Sequence, residues 1–70
     1  MKTDWVDGFT IRVRVDESGT VVLSANKEGL LSLSQQFAAL AEQPTAAHIH
    51  YDAYNSLEDG STEIIIEKVP

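Results

Sequence analysis

The chain predicts an α+β fold, a two-layer sandwich in the order β-β-α-β-β, with one helix on one face of a four-stranded, mostly antiparallel sheet. Three observations carry this. Apolar and polar residues alternate near both ends of the chain. A single helical pattern occupies the middle and stops before Pro44. Turn residues around Gly19 and Gly60 separate the extended stretches.

In "GFTIRVRV", Phe9, Ile11, Val13 and Val15 face one way, while Thr10, Arg12 and Arg14 face the other. This is a half-buried strand. "DESG" closes on Gly19, a residue free to take the left-handed conformation of a hairpin turn. "TVVLSA" is a short β-branched partner strand.

"NKEGLLSLSQQFAALAEQP" is the helix. Asn26 suits the N-cap, where its side-chain oxygen accepts from an orphaned backbone N–H. Glu28 suits the positive end of the dipole. Leu30, Leu33, Phe37, Leu40 and Ala41 form the expected buried stripe, flanked by Leu31 and Ala38. Gln35, Gln36, Glu42 and Gln43 are expected to point outward, with the end of the helix near Gln43. Ser34, between Leu30 and Phe37, is read as bonding back to a carbonyl one turn earlier. Gly29 weakens the first turn, so close packing against the sheet is its expected reason.

"AAHIHYD" alternates again, with Ile49 and Tyr51 inward and His48, His50 and Asp52 outward. "AYNSLEDGS" is a loop. "TEIIIEKV" is the last strand, with Ile64 and Ile66 on one face and Glu63, Ile65 and Glu67 on the other. The spatial order 2-1-3-4 makes every neighbouring pair antiparallel. It would set Arg12 and Arg14 beside His48, His50 and Asp52 on the uncovered face.

Seventy residues predict one domain, spanning 1–70, with a core of marginal size. There is no cysteine, which excludes disulfides, thiolate zinc sites and cysteine nucleophiles. No apolar run follows Lys2, so no signal peptide is expected, and no stretch approaches a membrane span. The cytoplasm is the expected location. Eleven acidic against five basic residues give a net charge of -6. That charge disfavours nucleic acid, whose phosphates need a basic surface. It suits basic or polar protein partners.

No catalytic constellation is present, and the chain is read as a non-enzyme. His48, His50 and Asp52 invite a metal reading, but same-face neighbours along a strand stand about 7 Å apart. A site needs a further ligand. Glu63 or Glu67 could supply it only if the last strand is adjacent and in register. Arg12 and Arg14 on that face would oppose a cation, so no metal or cofactor is assigned. "DAYNSLEDGSTE" does not follow the EF-hand ligand order. Cross-strand pairing of charges explains most of the open face. Ile65 is an apolar exception there. Trp5, Tyr54 and Leu57 lie in irregular segments, either as interface anchors or as covers for the ends of the core.

Two stretches together, "NKEGLLSLSQQFAALAE" and "AHIHYDAYNSLEDGSTEIIIEKV", carry a pattern of GLL-x-L, HIH-x-D, S-LE-x-GS and E-I-I-I-E-K. Over roughly residues 26–69 the chain resembles immunity protein family 32 of bacterial polymorphic toxin systems. The resemblance implies self-protection by non-catalytic binding of a cognate toxin. It brings no catalytic site. The expected contact residues are Asp52, Tyr54, Glu58 and Asp59 on a long acidic loop, with His50 at its edge. The other readings are a homodimeric interaction module and, less favoured, a histidine/carboxylate metal module.

Overall fold

The computed structural model describes residues 4–70. Its elements are β1 (Ile11–Val15), β2 (Val21–Ala25), α1 (Lys27–Ala41), β3 (Ala47–Tyr51) and β4 (Ile64–Lys68). The α+β class and the element order are those predicted. The sheet differs: four strands form two separate antiparallel ladders, β1–β2 and β3–β4. The expected β1–β3 pairing of the order 2-1-3-4 does not form, because β1's outer edge is already taken. Glu58 N donates to Ile11 O at 2.9 Å and Thr62 N to Val13 O at 2.8 Å. Val13 N donates to Ser61 Oγ at 3.2 Å. The loop before β4 thus satisfies β1's backbone groups in place of a strand.

Each hairpin has a physical cause. Between β1 and β2, Gly19 takes φ 87°. Asp16 Oδ1 there accepts from Ser18 N, Ser18 Oγ and Thr20 N at 2.7–3.0 Å. The Ser18 hydroxyl, then the Thr20 N–H, hold the Asp16 carboxyl below its usual range. In β3–β4, Ile49 pairs with Ile66 and Tyr51 with Ile64, so both apolar rows face inward.

Asn26 begins the helix and ties three segments together. Its Oδ1 accepts from Gly29 N at 2.8 Å and from Thr10 N at 3.0 Å. Its Nδ2 donates to Gly8 O at 2.8 Å. Gly29 then packs so closely that a Cβ there would stand 2.6 Å from Thr10 O and 3.1 Å from Ala25 Cβ. Close packing against the strands is therefore the reason for this glycine, as expected.

The helix is rotated from the predicted orientation. Its buried residues are Gly29, Ser32, Leu33, Gln36 and Leu40. Gln36, expected outside, is only 2% exposed. Leu30 and Phe37, expected inside, are 55% and 39% exposed. Hydrogen bonds explain the turn. Tyr51 Oη donates to Gln36 Oε1 at 2.7 Å, and Gln36 Nε2 donates to Asp4 O at 2.7 Å. Val6 N donates to Ser32 Oγ at 2.8 Å, which itself donates to Glu28 O at 2.8 Å. Buried polar groups need such partners, and residues 4–6 supply them from an irregular segment. Ser34 does bond back one turn, to Leu31 O at 2.8 Å, but on the exposed side.

Ile11, Val13, Leu33, Leu40, Ile49, Tyr51 and Leu57 make the core. Trp5 stacks on Phe9 at 4.3 Å between centroids and meets Tyr51 edge-on at 5.9 Å. Trp5 is thus a cover for the core, whereas Leu57 is part of it. The radius of gyration, 12.4 Å, exceeds the roughly 11 Å of a compact chain of this length. A thin molecule, 19 Å across its shortest axis, cannot bury all its large apolar side chains. Among the described residues, no helix is long and apolar enough to cross a membrane.

Two predictions follow from this packing. Gly29→Ala gains helix propensity yet should lose about 1–2 kcal/mol net, because the clash is with backbone; urea unfolding measures it, and a stabilised variant would contradict the packing. Burial raises the Tyr51 hydroxyl from 10.0 to about 12. The folded state therefore holds its proton above pH 10 while the unfolded state releases it. This contribution is complete below pH 10 and is lost as pH rises towards 12. Tyr51→Phe should cost about 1–3 kcal/mol at neutral pH, since Gln36 Oε1 loses its donor. Denaturation from pH 8 upward should show the gap between the two proteins narrowing above pH 10.

Candidate functional site

Period-two alternation on β3 puts His48 and His50 on the exposed face, opposite Glu67 and Ile65 of β4. The chain leaves β3 at Asp52, whose backbone and side chain organise the loop. Asp52 Oδ1 accepts from Tyr54 N at 2.9 Å and Asn55 N at 3.0 Å. Its carbonyl accepts from Ser56 N at 3.0 Å and Leu57 N at 2.8 Å. Asn55 reaches back, donating Nδ2 to His50 O at 3.0 Å and accepting from Asp52 N at 3.2 Å. Ser56 Oγ donates to Asn55 Oδ1. Leu57 then inserts into the core.

This leaves Tyr54 fully exposed, at 100%. It is held out by a turn whose backbone groups are satisfied. Past Leu57, Glu58 and Ser61 close a second turn, Ser61 N to Glu58 O at 3.1 Å, with Gly60 at φ 83°. Arg12 Nη1 donates to Asp59 O at 3.0 Å. The two arginines were expected beside the histidines. Arg12 is engaged with this loop instead, because the loop and not β3 lines β1.

The five expected contact residues separate into two groups. His50 and Asp52 come together, Nε2 to Oδ2 at 3.8 Å. Tyr54, Glu58 and Asp59 are spread along the loop, with Glu58 and Asp59 at the β1 edge. Glu63 was considered only as a conditional ligand, yet it joins His50 directly, Oε2 to Nε2 at 3.2 Å. The β3–β4 register brings it there. The exposed Leu30, Leu31 and Phe37 were missed as surface residues, since their spacing reads as a core stripe.

Among the described residues, the hollows beside these groups are small. A cleft of about 130 Å³ lined by Trp5, Ile49, His50, Tyr51 and Asn55 lies beside them. Ligand pockets run from about 300 Å³ upward. A larger hollow of about 420 Å³, between Ile11, Arg12, Ala25, Asn26 and Glu58, is shallow and open. The surface therefore offers an anchored loop and an uncovered strand face.

The small α+β scaffold thus projects an acidic loop that bears an exposed aromatic. The family model for immunity protein 32 matches residues 20–69, and the chain belongs to that family. Membership carries an immunity function against a toxin. No curated protein and no solved structure matches the chain.

The two kinds of loop residue should behave differently. Tyr54→Ala should leave stability within about 0.5 kcal/mol of the parent, as for other surface changes. Asn55→Ala, which removes bonds to both His50 O and Asp52 N, should lose about 1 kcal/mol. Thermal unfolding of both variants checks this, and an equal loss in each would contradict the anchoring described.

Proposed function

We propose that this chain neutralises its cognate toxin by direct, non-catalytic binding, with Asp52, Tyr54, Glu58 and Asp59 as the contact loop and His50 at its edge. The observation that carries the reading is Tyr54, a wholly exposed aromatic on a hydrogen-bonded turn. An ordered loop loses little further backbone entropy on binding. Aromatic anchors of this kind dominate interface energetics. The net charge of -6 favours a basic toxin through faster, steered encounter. Occlusion of the toxin's active site is the simplest mechanism, and the cytoplasm is where the two would meet.

Co-expression with the toxin encoded beside this chain tests the reading. Growth rescue together with a stable 1:1 complex is expected. Rescue without any complex would overturn direct binding. Tyr54→Ala, and separately Glu58→Ala with Asp59→Ala, should each weaken the complex at least about tenfold, within the range of interface anchors. Unchanged affinity in folded variants would move the contact elsewhere.

A second reading, self-association, draws on the exposed Leu30, Leu31 and Phe37 of the helix. Large exposed apolar groups mark association surfaces. Light scattering over a concentration series decides it, since a monomer at every concentration excludes a homodimer.

A further inference from the structure

Imidazole and carboxylate ligands converge at one point on the open face. His50 Nε2 stands 3.2 Å from Glu63 Oε2 and 3.8 Å from Asp52 Oδ2. One ligand atom from each residue lies within 4.8 Å of the other two. Zinc bonds of about 2.0–2.2 Å to nitrogen and oxygen place tetrahedral ligand atoms about 3.4 Å apart. The three groups need only small side-chain movements to meet that geometry.

The sequence made this arrangement look remote, because His48, His50 and Asp52 share one strand and are widely spaced. The third ligand comes from across the hairpin instead. Tyr51 pairs with Ile64, so Glu63 enters beside Asp52 at the mouth of β3–β4. His48 belongs to the next pair along, facing Glu67. The arginine objection also weakens, since Arg12 is held at the Asp59 carbonyl. Among the described residues, no lysine or arginine stands within 4.0 Å of the Asp52 or Glu63 carboxylates.

Supporting bonds orient the ligands. The Tyr54 and Asn55 N–H groups hold Asp52 Oδ1, which turns Oδ2 towards His50. Asn55 fixes the His50 backbone through its carbonyl. Metal ligands are characteristically oriented by such outer bonds. The imidazole favours zinc-class ions over magnesium or calcium, which prefer all-oxygen sites.

We propose that His50, Asp52 and Glu63 form a surface site for one zinc-class divalent ion, with water or a partner's side chain completing the coordination. The site shares His50 and Asp52 with the proposed toxin contact, but its zinc binding does not depend on that contact and is tested without a toxin. Chelator-treated full-length protein is titrated with zinc, then with magnesium, while the histidine ring signals are followed by NMR and heat by calorimetry. One saturable zinc site is expected, with His50 shifting first and magnesium giving no comparable effect. His50→Ala and Glu63→Gln should each weaken zinc binding at least about tenfold, in line with losses at ligand-supporting positions. His48→Ala should bind zinc as the parent does. Circular dichroism confirms the fold of each variant. No saturable shift at millimolar zinc would overturn the proposal, leaving the cluster as a hydrogen-bonded contact across the hairpin. Equal loss in His48→Ala, or full binding by Glu63→Gln, would overturn this ligand set.

Discussion

The buried amide of Gln36 governs the layout of this molecule. It accepts from Tyr51 Oη on β3 and donates to Asp4 O in the first described segment. An amide and a phenol can be taken from water only if their polar atoms are paired. Three parts of the chain must therefore meet at one point. That requirement sets the roll of α1 about its axis, draws residues 4–6 over the helix, and seats Tyr51 against Trp5. It also turns Leu30 and Phe37 towards solvent.

Much of the fold was legible because it rests on local rules. Alternation identified β1, β3 and β4, and β-branched composition identified β2; Ile11, Val13, Ile49 and Tyr51 are buried as expected, while Val15 is 51% exposed. Asn26 and Pro44 bracketed the helix, and Gly29 signalled close approach. The roll of the helix was not legible. Ranking residues by hydrophobicity assigns Leu30 and Phe37 to the core and Gln36 to water. Here hydrogen bonds from an irregular segment reverse that order. The division of the sheet was hidden for a related reason. The groups that displace β3 from β1 are largely backbone groups, Glu58 N and Thr62 N, which carry no residue signature. For the site, period two placed His50 and Asp52 on one face, but Glu63 required the register across the hairpin. Register depends on the path of the intervening loop.

The family assignment and the geometry bear on different levels. The matched region, residues 20–69, runs from β2 through β4, so it includes the helix, the loop and the His50 cluster. Tyr54 stands fully exposed on the surface that the loop between β3 and β4 presents. The scaffold serves that surface by satisfying nearly every polar group behind it. No buried side-chain nitrogen or oxygen lacks a partner among the described residues.

The segment between β3 and β4 is fastened at both ends, by Asp52 and Asn55 at one and by β1 at the other. A residue added or removed within it would break a turn or shift Glu58 and Thr62 off the β1 edge. Its outline is therefore inherited with the fold. The chemistry of this surface can change by exchanging side chains at fixed exposed positions such as Tyr54 and Asp59, and not by lengthening the loop.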